Sequence, residues 1–163
     1  MRAAFALPFL FAGAADAAPA LSDVQVGIFC KMPAEAQIPA PETTVGFIWD
    51  PLELPEITWK QNRVPAVPGV SFGMRARAAK DSVAVTVRVT HPPFRGSNST
   101  EEVWSSTYYA YAESANYYSL EHDYELVTGD WRIEVTDTAT GKSLFRSDFV
   151  VVPPYQAPHI AKA

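Results

Sequence analysis

The stretch GDWRIEVTDTATGKSLFRSDFVVV, residues 129–152, decides how the chain folds. Trp131, Ile133 and Val135 alternate with Arg132, Glu134 and Thr136. That is the period of two that sends successive side chains to opposite faces of a strand. Thr138, Ala139, Thr140 and Gly141 then reverse the chain, and Phe145, Phe149 and Val151 return along a second strand. The result is a hairpin with one apolar face, which another layer must cover. Pro153 and Pro154 end the pairing, because neither can donate a ladder hydrogen bond.

Outward from this hairpin the same pattern repeats. In residues 82–90, Val83, Val85, Val87 and Val89 face one way while Ala84, Thr86 and Arg88 face the other. Further strands are expected near 22–30, 43–49, 55–60, 69–78, 103–112 and 117–126, separated by Pro, Gly, Asn and Asp. No helical period extends over three turns. Pro65 and Pro68 mark residues 63–69 as a connection or an edge, and residues 91–102 form the longest loop. Many short strands with one buried face call for two packed sheets, an all-β, immunoglobulin-like β-sandwich. Leu126, a glycine turn and then an aromatic opening an alternating strand fit the entry to the penultimate strand of such domains, with Trp131 where a Tyr is expected.

The first twenty residues carry one positive charge at Arg2, a short apolar run and the triplet Ala15-Asp16-Ala17. This is the pattern of a secretory signal peptide cleaved after Ala17, and the run is too short to span a bilayer. Residues 18–152 then make one sandwich domain and residues 153–163 a flexible, proline-containing tail. The expected compartment is periplasmic or otherwise secreted, with no membrane span.

Composition narrows the chemistry. A net charge of −5 and a pI of about 5.1 argue against nucleic acid, whose binding rests on Lys and Arg. The basic residues Arg75 and Arg77 alternate and read as the solvated face of a strand, with Lys80 nearby. Cys30 is the only cysteine, so no internal disulfide forms, and within an alternating apolar segment it reads as a small buried hydrophobe. His91, His122 and His159 have no zinc-like spacing, and alternation separates His122 from Ser119 and Asp123. No catalytic residue, metal site or cofactor is assigned. His91, ahead of two prolines, is either a rim ligand or the brace of its loop.

Six of seven tyrosines fall within residues 108–124. If residues 103–112 and 117–126 pair around residues 113–116, Tyr109, Tyr111, Tyr118 and Tyr124 go to the core. Trp104, Tyr108 and Tyr117 then look outward beside Glu121 and Glu125. Such a strip suits sugar rings or a peptide, so Trp104, Tyr108, Tyr117, Glu121, Glu125 and His91 are the candidate binding residues.

GIFC at 27–30, GVSFGM at 69–74, THPPF at 90–94, GDWRIEV at 129–135 and DFVVV at 148–152, in that order, resemble the bacterial DUF3859 family over nearly the whole mature chain. The resemblance implies a short secreted or periplasmic proteobacterial protein without assigned activity, and it transfers no catalytic residues. The expected function is non-enzymatic binding, by a monomer, of a protein partner or an envelope glycan. The alternatives are a structural or stress-related accessory that pairs a partner strand at an open edge, and a hydrolase using acidic residues.

Overall fold

A computed structural model describes residues 20–29 and 35–162. The signal-peptide segment and Cys30 lie outside the described residues. Ten strands run in chain order: β1 (Leu21–Phe29), β2 (Glu35–Pro39), β3 (Phe47–Pro51), β4 (Arg63–Pro65), β5 (Ser71–Ala78), β6 (Val83–Thr90), β7 (Glu101–Tyr108), β8 (Ser114–Ser119), β9 (Gly129–Asp137) and β10 (Ser143–Val152). One sheet has the order β1-β5-β8 and the other β4-β10-β9-β6-β7, while β2 and β3 form a separate hairpin. All pairs are antiparallel except β4 with β10.

The hairpin of residues 129–152 forms as its alternation requires. Phe149 lies opposite Trp131, Val151 opposite Gly129, and Gly141 takes the left-handed conformation (φ 70°) at the turn. Trp131, Ile133, Val135, Phe149 and Val151 are buried, as are Val85, Val87 and Val89 on β6. From the smaller sheet Phe72 meets them, with ring centroids 5.0 Å from Phe149 and 5.5 Å from Trp131. These contacts join the two sheets into the expected sandwich.

Three expectations are corrected. Residues 55–60 do not form a strand; Trp59 makes a single bridge to Ile28. The strand β2 was not expected, whereas β4 is an edge strand within residues 63–69, one of the two readings Pro65 allowed. Residues 153–162 are not loose: after a short 3₁₀ turn at Pro154–Gln156, Ala157 and Ile160 are buried in the core.

The largest correction concerns the tyrosines. Residues 103–112 and 117–126 do not pair. β7 joins β6 in the larger sheet, β8 joins β5 in the smaller one, and the chain crosses between the sheets at residues 109–113. Without a hairpin to couple them, the two segments choose their inward faces independently. Trp104 and Tyr108 therefore point into the sandwich, whereas Tyr109 and Tyr111 are exposed. Arg75 is not on a solvated face either; it is largely covered, pairing with Glu113 and donating to Pro55 O at 3.2 Å.

Candidate functional site

Because β7 and β8 each close one sheet, two edge strands stand side by side on one flank of the sandwich. The β2–β3 hairpin and residues 43–46 lie across the gap and roof a pocket of about 710 Å³, counting the part open to solvent. β7 supplies Glu102 and Trp104, β8 supplies Asn116, Tyr117 and Tyr118, and β3 supplies Trp49.

Two carboxylates are built into its walls. Glu102, 2% exposed, accepts the Thr44 amide at 2.6 Å and the Thr44 hydroxyl. Burial alone raises the Glu102 carboxyl. The neighbouring His91 ring and the Thr44 bonds outweigh that and hold it below its usual value. Glu125 lies in a 3₁₀ turn, Asp123–Glu125, and not in a strand. Its Oε2 accepts the amides of Glu121 at 2.7 Å and His122 at 2.8 Å, while Oε1 accepts the Tyr118 hydroxyl at 2.7 Å. Burial, the Glu125 charge and that hydrogen bond push the Tyr118 phenol far above its ordinary range, so it stays a donor. Both carboxylates are thus occupied in holding loops and strands together.

His91 braces its loop. Nδ1 donates to Pro92 O at 2.8 Å, and the ring stacks on Phe94, with centroids 3.8 Å apart, and on Trp131, 4.8 Å apart. The remaining nitrogen, Nε2, faces Glu102 Oε1 at 3.7 Å, beyond hydrogen-bonding distance.

The open valences are donors. Trp104 Nε1 donates to Asn116 Oδ1 at 3.2 Å, which fixes the orientation of the amide. Asn116 Nδ2 is then left buried beside the Tyr108 hydroxyl without a hydrogen bond of normal geometry, and Trp49 Nε1 is likewise buried without a partner. A buried N–H that pairs with nothing costs about 1–3 kcal/mol, so such groups are normally satisfied by water or a ligand.

Of the sequence-predicted residues, Trp104, Tyr117, Glu121 and Glu125 come together around this pocket. Trp104 reaches it from inside the sandwich and Glu125 from a turn, whereas Tyr117 lies, as expected, on the outer face of β8, opposite to Asn116 and Tyr118 and against Phe29. Tyr108 is buried away from it, and His91 stands behind Glu102. Asn116 and Trp49 were missed: nothing in the local pattern around them marks a roofed gap between two edges.

The fold and its gap invite comparison with known proteins. A family model described as "domain of unknown function (DUF3859)" matches residues 17–151. The chain belongs to the DUF3859 family. Among solved structures, an immunoglobulin-like protein of Pseudomonas aeruginosa is similar with a TM-score of 0.56 at 19% identity, over 80% of this chain and 93% of that one. At that identity the likeness establishes the immunoglobulin-like fold alone. No curated protein matches the chain. Among the described residues of this DUF3859 domain no helix is long and apolar enough to cross a membrane, and the single cysteine leaves it without an internal disulfide.

Proposed function

We propose that this DUF3859 domain is an exported, monomeric, non-enzymatic binding module whose ligand enters the pocket between β7 and β8 beneath the β2–β3 hairpin. The observation that carries the reading is a pair of buried donors without hydrogen bonds of normal geometry, Asn116 Nδ2 and Trp49 Nε1, on residues that line the pocket. They call for acceptor oxygens. Aromatic side chains around them call for flat apolar faces. A hydroxyl- and carbonyl-rich sugar, such as the end of an envelope glycan, offers both. The leader-like N-terminus supports the cell envelope as the place where it meets that ligand.

The test is a titration of the folded chain with chitotetraose and with peptidoglycan-derived muropeptides, followed by tryptophan emission. Saturable change is expected for wild type. Asn116→Asp keeps the acceptor for Trp104 but puts a carboxylate oxygen where the donor was, so affinity is expected to fall at least about tenfold, equivalent to ~1.4 kcal/mol. An unchanged emission with both probes, or an Asn116→Asp variant that binds as well as wild type, refutes the assignment.

A further inference from the structure

On the outer flank of β3 a second, more open groove runs along the free side of β7. Its walls carry Ile38, Leu52, Leu54, Tyr109 and Tyr111, all large apolar side chains exposed to solvent, Leu52 to 68% and Tyr111 to 81%. Contiguous exposed apolar surface of this kind marks interaction sites. Its floor is the strand at Ser105, Ser106 and Thr107.

That floor is an unpaired sheet edge. β7 pairs with β6 on one side only. The Val103 amide points to the other side, donating to Glu42 O at 3.2 Å. Alternation along an antiparallel strand sends the N–H and C=O of Ser105 and Thr107 the same way. Among the described residues neither has a main-chain partner there. Edges are normally protected by brevity, proline, lysine or a bulge. β4, at the far end of the same sheet, has three residues and Pro65; Ser105, Ser106 and Thr107 have none of these devices.

The charges specify the occupant further. Among the described residues, Asp50 and Glu113 are the only charged side chains on the groove. Glu113 is paired with Arg75, which leaves the Asp50 carboxylate to be matched. We propose that the groove takes an extended segment of a partner protein, added to β7 as a sixth strand, with apolar side chains at alternate positions and a lysine or arginine within reach of Asp50. A second copy of this chain fits less well: β7-to-β7 pairing would face one carboxylate-lined groove with another, on chains that each carry −5.

The experiment uses the folded chain and a capped, fluorescein-labelled peptide, Lys-Val-Ser-Val-Ser-Val-Ser, read by anisotropy. Saturable binding is expected, weakened at least about tenfold when Glu replaces the peptide Lys and abolished when alternate peptide amides are N-methylated. Thr107→Pro removes an outward amide without touching the β6 ladder and is expected to abolish binding. The tryptophan response of the glycan pocket should survive in that variant, so the two sites fail or succeed separately. The proposal is overturned by no saturable binding, by equal binding of the N-methylated or Glu peptide, or by sedimentation showing a dimer that Thr107→Pro disperses. The peptide variants test the wild-type chain, so the outcome does not depend on the folding of Thr107→Pro.

Discussion

The Thr44 amide donates to the Glu102 carboxylate at 2.6 Å, and this contact helps fasten the roof of the pocket to an edge strand 58 residues further along the chain. The Thr44 hydroxyl bonds the other oxygen of the same group. Ionised, Glu102 satisfies both; protonated or absent, it leaves the loop held to β7 by the Val103 amide on Glu42 O.

The sign of the resulting pH dependence follows from the lowered carboxyl. A carboxyl below its ordinary value of 4.5 in the folded chain contributes stability that is fully present above that value and is lost as pH falls through the lowered one. Urea unfolding of wild type and Glu102→Gln from pH 7 down to pH 3 should show the variant less stable by about 1.5–3 kcal/mol near neutrality, the range for a hydrogen bond to a charged group. The two should converge in acid. A gap that stays constant with pH would contradict this account.

Tyr108 offers a test of opposite sign. Its side chain is buried, and burial pushes the phenol well above its ordinary range, with nearby Asn116 opposing the shift. No hydrogen bond of normal geometry forms to the hydroxyl. Tyr108→Phe removes an unsatisfied polar atom and should leave stability unchanged or raise it by about 1 kcal/mol, whereas Tyr108→Ala should cost ~3–5 kcal/mol. Denaturant midpoints of the pair measure this directly.

Gly73 and Gly46 are required for different reasons. A Cβ on Gly73 would sit 2.2 Å from Asn116 O and 2.5 Å from Tyr117 Cα, so β5 and β8 approach as closely as they do only because it is absent. Gly46 has open space around it but a φ of +80°. Gly73→Ala is expected to destabilise strongly and to abolish the glycan response, since Asn116 must move. Gly46→Ala should cost only the ~1–2 kcal/mol of a left-handed alanine. Comparable losses in both would rule out the close-approach argument.

The segment after Val152 belongs to the folded unit. Ile160 is 2% exposed, and truncating a buried isoleucine to alanine costs ~2–5 kcal/mol. Ile160→Ala should lower the thermal midpoint by several degrees. If removing residues 153–163 left that midpoint unchanged, the packing of Ile160 would be immaterial.

The tyrosine-rich stretch shows where reading from sequence stopped. Alternation of side chains is a local property, and on β8 it placed Tyr118 toward the core correctly. On β7 the large rings Trp104 and Tyr108 alternate with Ser105 and Thr107, a pattern that already favours the observed face. The assumed hairpin overrode it, because pairing two segments couples their faces. Glu125 was misplaced for a related reason: it lies in a turn, where the period of two has no meaning. His91 was readable as a loop brace because a histidine before two prolines has few other partners within reach, but of the rings stacked on it only Phe94 is a near neighbour, and Trp131 comes from elsewhere in the chain.

Strand content, the closing hairpin, the two-layer packing and the absence of a disulfide are set by side-chain period, turn chemistry and a single cysteine, all of which act between near neighbours and can be read along the chain. The pocket and the bare edge of β7 are decided by which strand ends each sheet and by what lies across the gap. Those choices rest on contacts such as Thr44 with Glu102, between residues whose distance in sequence carries no information about their distance in space. Local sterics write the strands, and long-range packing alone determines which of them end a sheet.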